Sequence, residues 1–231
     1  MVQNAMTKQL YLEKNEEYYA VPQKWVSNLI DGFALRILDV GCGDGATGAL
    51  LKQIGKAREV HGVEIVASAA QRAEANLDTV IVGDFENIEL PYQPGSFDCI
   101  LATEVLEHFA DPWHAVLRLK SLLRDDGYII ASTPNIRNLT VIWGLVVRGD
   151  WHYNESGILD RTHLRFFTKS SFRDMFVQAG LTVEVLEPIL MRYKLKYLGP
   201  LLFGVWRELL TLRYTCRARK NRGADMLIQD E

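Results

Sequence analysis

Apolar residues along this 231-residue chain keep changing their spacing. Compact apolar runs near 35–40, 59–64, 79–83, 97–102 and 127–132 read as buried strands. Between and around them, stretches near 22–31, 46–54, 67–76, 112–124 and 169–179 place apolar residues every three or four positions and read as helices. Alternation of this kind predicts an α/β fold, a mainly parallel sheet covered by helices on both faces. Asp111-Pro112 is a helix start, an N-capping acid before a proline at the first helical position. Thr168-Lys169-Ser170-Ser171 offers another, while Gly55, Gly127 and Gly180 fall where helices should stop. The pattern then changes style. Residues 182–186 read as a strand, and 212–218 alternate strictly between apolar and polar. Only a short helix, within 199–209, fits between them, so these late strands predict an antiparallel addition at the sheet edge.

The turn after the first strand carries the most chemistry. Ile37-Leu38-Asp39-Val40-Gly41-Cys42-Gly43-Asp44-Gly45 is an apolar run that ends in an acid and breaks into alternating glycines. Glycine accepts positive φ and removes the Cβ that would keep a ligand off the backbone. Gly41, Gly43 and Ala46, with Glu64 further on, also satisfy the loose dinucleotide fingerprint. An NAD-dependent oxidoreductase is therefore a rival at this point.

Composition narrows the class. The chain is 48% hydrophobic and 24% charged, enough for one sizeable domain, and its net charge of −3 gives no reason to expect nucleic acid as a partner. Cys42, Cys99 and Cys216 lack metal-like spacing and suggest no disulfide framework. The first 17 residues are polar and acidic where a signal peptide needs an apolar core, and the longest apolar stretches are too short to span a bilayer. A reducing cytoplasm is the expected compartment.

Several motifs in order carry a resemblance. After the glycine turn come Val63-Glu64-Ile65, Gly83-Asp84-Phe85-Glu86, Leu90-Pro91-Tyr92, Gly95-Ser96-Phe97-Asp98, Glu104-Val105-Leu106-Glu107-His108 and Gly127 to Asn135. From about Ile37 to Glu187 the chain resembles class I S-adenosylmethionine-dependent methyltransferases, among them the small bacterial ubiquinone-pathway O-methyltransferases. Asp160-Arg161-Thr162-His163-Leu164-Arg165-Phe166-Phe167 is similar to methyltransferases of cell-surface glycan and lipid pathways. The resemblance implies a single Rossmann-like, doubly wound, seven-stranded α/β sheet, mostly parallel with an antiparallel edge strand near the C-terminus. It divides into an N-terminal cap (1–33), a cofactor-binding core (34–135), a substrate lid (136–168), a C-terminal helix with antiparallel strands (169–222) and a loose tail (223–231).

S-adenosylmethionine is the implied cofactor. Asp39 would hold its amino end, Gly41, Cys42 and Gly43 its backbone cradle, and Glu64 both ribose hydroxyls. Asp84 would accept from the adenine amino group, with Ile65 and Phe85 on the ring and Thr103 near the methionine end. A domain that binds the cofactor without turnover remains a further alternative.

The acceptor side is less defined. Of the five histidines, His61 sits in a strand and His114 on a helix surface, whereas His108 follows the fourth strand and His163 lies in the lid. His163, then His108, is the expected base for an acceptor hydroxyl, with Asp160 placed to orient His163 and Asn135 to meet the acceptor. The apolar segment 140–147 reads as a helix packed on the sheet, or, with Trp151, Tyr153, Phe166 and Phe167, as the wall of an apolar acceptor pocket. The acceptor is expected to be a small molecule, glycan or glycolipid precursor, with a quinone-like or other lipid as the alternative. No carboxylate and histidine cluster shows ligand spacing along the chain, so no metal is expected. Arg192, Lys194, Lys196, Arg207, Arg213, Arg217, Arg219, Lys220 and Arg222 make the C-terminal region basic. That stretch suits an exposed edge strand guarded by cations, contact with an anionic membrane or a grip on a diphosphate-linked substrate.

Overall fold

The structure, a computed structural model, describes residues 19–33, 35–190 and 205–222. In chain order the elements are α1 (Val26–Leu29), β1 (Leu35–Val40), α2 (Ala46–Gln53), β2 (Ala57–Glu64), α3 (Ala67–Ala73), β3 (Thr79–Val82) and β4 (Phe97–Thr103). They continue through α4 (Pro112–Leu122), β5 (Leu123–Pro134), α5 (Leu139–Trp143), α6 (Lys169–Gln178), β6 (Leu181–Leu190), α7 (Val205–Leu209) and β7 (Thr211–Lys220). The strands form one seven-stranded sheet in the order β3-β2-β1-β4-β5-β7-β6. β1 to β5 pair in parallel, and β7 runs antiparallel to both β5 and β6.

Successive residues of the central strands point to opposite faces, and each face has its own core. Leu38, Ile100 and Ile129 join Phe97, Leu119, Phe172 and Phe176 on one side. Ile37, Leu101 and Ile130 join Val26, Leu51 and Val60 on the other. This double covering explains why the strands read as continuous apolar runs. It also sends the carboxyl ends of β1, β2, β3 and β4 to one edge, where the reversal of strand order opens a crevice.

Helix punctuation follows the chemistry of the caps. Asp111 accepts from the His114 N–H at 3.0 Å, and Thr168 and Ser171 form a reciprocal capping box at the start of α6. Gly55 and Gly180, with φ of 74° each, follow α2 and α6 as expected. Gly127 does not stop a helix. It lies inside β5, where a Cβ would meet the Arg124 carbonyl at 2.9 Å, directly after Asp126 with φ of 63°.

The late strands form the expected antiparallel addition at the sheet edge, with one correction to their order. β7, the antiparallel strand, is interior, and the edge is β6. The cations of β7 are therefore not guards of an open edge. Arg213 faces Glu104, Arg217 pairs with Asp31, and Arg219 pairs with Glu184 and Asp31, while Arg222, just past β7, pairs with Asp126. Arg192, Lys194, Lys196 and the expected tail 223–231 lie outside the described residues. No helix among the described residues is long and apolar enough to cross a membrane.

Candidate functional site

One cavity of about 480 Å³ opens at the carboxyl edge of the sheet. Asp39, Gly41, Cys42, Gly43, Glu64, Ile65, Asp84, Phe85, Thr103, His108 and His163 all line it. Residues spread over more than half the chain thus meet at one place.

At one end, the glycine turn is locked against β2: the N–H groups of Gly41 and Cys42 donate to the Val63 carbonyl at 2.8 and 3.3 Å. Gly41 and Gly43 hold φ of 71° and 58°, left-handed values that favour glycine. Gly43 has a second reason to lack a side chain, because a Cβ there would lie 2.7 Å from the Tyr19 carbonyl. The Glu64 carboxylate is aimed by backbone. Its Oε2 accepts from Gly43 N–H and its Oε1 from Val66 N–H, both at 2.9 Å. The carboxylate keeps acceptor capacity toward the cavity for a hydroxyl donor. Burial raises the Glu64 pKa, and the N–H groups of Val66, Gly43 and Ile65 oppose that rise.

Asp39 is 3% exposed, and burial, with the Glu64 charge adding to it, pushes its pKa up to about 7. A cation brought to it would restore the ionised form. Asp84 serves two purposes: its carboxylate accepts from Glu86 N–H at 3.0 Å and Asn87 Nδ2 at 2.6 Å, forming the local turn, and it also faces the cavity. The Phe85 ring stacks on Phe109 and lies under the Arg118 guanidinium.

The other end begins where β4 stops. Glu104 holds φ of 53°, uncommon for a residue with a side chain. It is tied down by Ser132 Oγ, which donates to its Oε1 at 2.7 Å, and by Arg213 at 3.5 Å. A single helical turn, Leu106–His108, then brings Glu107 and His108 to the cavity. The 157–164 segment closes over them from the far side: Leu164 and Arg165 N–H donate to the Glu107 carbonyl at 2.8 and 2.9 Å. His108 Nδ1 lies 3.0 Å from the Thr162 carbonyl, and His163 Nδ1 lies 3.0 Å from the Ile158 carbonyl. The two imidazole rings meet edge to face at 4.7 Å.

Sequence comparison gives this geometry a family. A profile described as a methyltransferase domain matches residues 11–186. The chain belongs to the methyltransferase-domain family. A ubiquinone biosynthesis O-methyltransferase of Cupriavidus pinatubonensis is 25% identical over 180 residues, 71% of this chain and 70% of that protein. The 27-O-demethylrifamycin SV methyltransferase of Amycolatopsis mediterranei is 34% identical over 98 residues, 40% of this chain and 36% of that one. Across its curated relatives, the chain spans from 31% to 76% of their length. A crystal structure of an S-adenosylmethionine-dependent methyltransferase from Archaeoglobus fulgidus superposes with a TM-score of 0.63 at 17% identity, covering 89% of this chain and 95% of that one, and so shares the fold. S-adenosylmethionine is the cofactor of this methyltransferase domain, and three carboxylates, Asp39, Glu64 and Asp84, line the cavity.

Other expectations fall away. Asn135 is fully buried and lies outside the cavity lining. Its Nδ2 donates to the Glu208 and Thr211 carbonyls at 2.8 and 3.0 Å, tying β5 to the start of β7. Among the described residues the 140–147 segment is absent from the cavity lining, and it is largely exposed: Val141 is buried, but Trp143, Leu145, Val146 and Val147 are exposed. Phe167 is core, and Trp151 packs on Phe166 and Tyr153. His61, as expected, is a packing residue, bonded to Glu59 and Tyr92.

Sequence reasoning gave no role to Glu107. The residue is 1% exposed, and neither of its carboxylate oxygens has a hydrogen-bond partner among the described residues. Burial, reinforced by Glu104, pushes its pKa well up. The available signal was Glu104-Val105-Leu106-Glu107-His108, two acids and a histidine within five residues after a strand's carboxyl end.

Proposed function

We propose that this protein transfers the methyl group of S-adenosylmethionine to a hydroxyl of a small-molecule, glycan or lipid-linked acceptor. The observation that carries this reading is the single cavity with the cofactor acids Asp39, Glu64 and Asp84 at one end and Glu107, His108 and His163 at the other. Asp39 holds the ammonium of the methionine moiety, and Glu64 takes both ribose hydroxyls. Asp84 accepts from the adenine amino group, with Ile65 and Phe85 beside the ring and Thr103 at the methionine end. The names of the ubiquinone and rifamycin relatives support oxygen as the acceptor atom. Three buried, unpaired cysteines favour a reducing, cytoplasmic setting.

The reaction is an in-line displacement. An acceptor oxygen lone pair forms a bond to the methyl carbon, the carbon–sulfur bond breaks, and S-adenosylhomocysteine leaves. Because the sulfonium is already a strong electrophile, the chain contributes chiefly position. The acceptor proton is lost at the histidine end of the cavity.

The test is transfer of labelled methyl from S-adenosylmethionine into extract, partitioned between aqueous and organic phases. Label in a product that disappears with Asp39→Ala or Glu64→Ala, both folded, supports the reading, and its phase separates glycan-like from lipid-like acceptors. Wild-type cofactor affinity in both variants would refute the site. His163→Ala should lower turnover far more than cofactor affinity, and unchanged turnover would remove it from the chemistry.

A further inference from the structure

The acceptor end of the cavity holds a group of side chains that its position alone does not explain. One ligand atom from each of Glu107, His108 and His163 lies within 4.8 Å of the other two, and all three residues are buried. Glu107 arrives from the turn after β4 and His163 from the segment before α6, so nothing in their spacing along the chain announces the group.

Three observations point the same way. A carbonyl oxygen only accepts, so the contacts to Thr162 and Ile158 place a proton on each Nδ1, and the neutral form of each imidazole then carries its lone pair on Nε2. Outer carbonyls that fix the tautomer of a histidine are the usual second layer of a metal site. The Glu107 carboxylate, with both oxygens buried and no donor among the described residues, is a costly thing to leave without a cation or proton. Finally, Glu104 and Asp160 line the same end of the cavity, opposed there by Arg213, so the local surroundings favour positive charge.

We propose that Glu107, His108 and His163 bind one divalent transition-metal ion of the zinc type, whose remaining position faces the cavity and takes the acceptor hydroxyl oxygen. Two imidazole nitrogens and one carboxylate oxygen suit zinc or iron better than magnesium or calcium. Three protein ligands with an open position are the pattern of catalytic rather than structural zinc. Bonds of about 2 Å in a tetrahedron set ligands roughly 3.3 Å apart, so the three side chains draw inward by about an ångström as the ion enters. This inference rests on the methyltransferase reading and deepens it: His163 and His108 act as ligands, and the ion acidifies the acceptor. The metal-bound hydroxyl releases its proton to solvent, and its oxygen attacks the methyl carbon. The carbon–sulfur electron pair goes to sulfur, and no further reactant is needed.

The experiment strips the full-length chain with a chelator and titrates it with Co²⁺ as a spectroscopic probe, then displaces Co²⁺ with Zn²⁺. S-adenosylmethionine binding is followed in parallel by calorimetry. The wild type is expected to bind one ion per chain with the visible absorption of low-coordinate cobalt. Glu107→Gln and His163→Ala should each weaken it by about 100-fold or more, at least what outer partners of a metal site are worth, with cofactor binding retained as proof of folding. Asp39→Ala should bind the ion and lose the cofactor. No ion on the wild type, cobalt binding undisturbed in both variants, or full methyl transfer after chelation would each overturn the metal site while leaving the methyltransferase reading standing. Loss of cofactor binding in the wild type would instead strike the methyltransferase reading and leave the ion titration readable.

Discussion

Asp39 shows how a single buried carboxyl sets the pH response of the site. Its pKa is raised from 3.8 to about 7 by burial, with Glu64 adding to the rise. Between those two values the folded chain keeps a proton that the unfolded chain has lost. Stability without cofactor is therefore fullest below about pH 4, falls as pH rises to about 7, and levels above, by up to about 4 kcal/mol. On the proposed assignment of Asp39, cofactor binding runs the other way, because the ammonium of S-adenosylmethionine would select the ionised carboxylate. Affinity should rise about tenfold per pH unit up to about pH 7 and then plateau, with a proton released on binding. Calorimetry between about pH 5.5 and 8, in buffers of different ionisation heat, checks this, and Asp39→Asn should flatten both profiles. Parallel profiles for wild type and variant would contradict the assignment. At this scale the meeting of Asp39, Glu64 and Asp84 in one cavity was readable in advance, because each stands at or just past the carboxyl end of a strand, Asp39 next to last in β1, Glu64 closing β2 and Asp84 two residues after β3. Glu107 was not readable in that way. Its character comes from the absence of a hydrogen-bond donor around it, which only the folded packing shows.

Among the elements, the glycine turn between β1 and α2 separates strain from contact. Gly43 and Gly55 both hold left-handed φ, 58° and 74°. A Cβ on Gly55 meets nothing within 4 Å, whereas one on Gly43 collides with the Tyr19 carbonyl at 2.7 Å. Backbone strain alone costs about 1–2 kcal/mol in either place. Gly55→Ala should therefore lower the melting temperature with cofactor affinity intact. Gly43→Ala should lower it and also weaken S-adenosylmethionine binding by roughly tenfold or more, since about 1.4 kcal/mol of displaced turn suffices for that. Equal effects on cofactor affinity would mean that the turn tolerates a side chain. Element identity was legible along most of the chain for a physical reason: parallel strands buried on both faces leave compact apolar runs, and Asp111 and Thr168 cap helices with their own side chains. Gly127 misled because a glycine needed for close approach inside a strand looks the same as one that ends a helix. The β7 cations misled because alternation reveals a strand but not its neighbours, and its place between β5 and β6 is set by pairing far along the chain.

At the scale of the whole molecule, the two ends of the described chain are fastened together, and the fastening reaches the cavity beside the glycine turn. Asp31, just past α1, accepts ion pairs from Arg217 at 2.8 Å and Arg219 at 3.2 Å. Arg217 also donates to the Leu29 carbonyl at 3.0 Å. The Tyr128 hydroxyl donates to the Asp31 carbonyl at 3.1 Å and accepts from its N–H at 3.0 Å, while both guanidinium groups lie over the Tyr128 ring. The segment so held runs back to Gln23, whose N–H donates to Thr47 Oγ1 at 3.1 Å, and to Tyr19, whose carbonyl accepts from Asp44 N–H at 3.3 Å. Tyr19, Val21 and Gln23 line the cavity beside the glycine turn. β7 thus works as an anchor, although its charge pattern suggested an outward-facing one. Asp31 is largely exposed, so its charge alone is worth little. Arg217 is the better probe because it combines a charged hydrogen bond to a backbone carbonyl with packing on an aromatic ring. Arg217→Ala should cost about 1–3 kcal/mol and raise the dissociation constant for S-adenosylmethionine severalfold, because the cap no longer holds Tyr19 against the turn. Asp31→Asn, which keeps the backbone contacts to Tyr128, should change both quantities much less. Turnover at saturating cofactor should stay near wild type in both, since neither residue lines the acceptor end of the cavity. Thermal melts and calorimetry on the two variants decide the matter: an Arg217→Ala protein that melts early yet binds cofactor with unchanged affinity would show that the clamp stabilises the fold without positioning the cap.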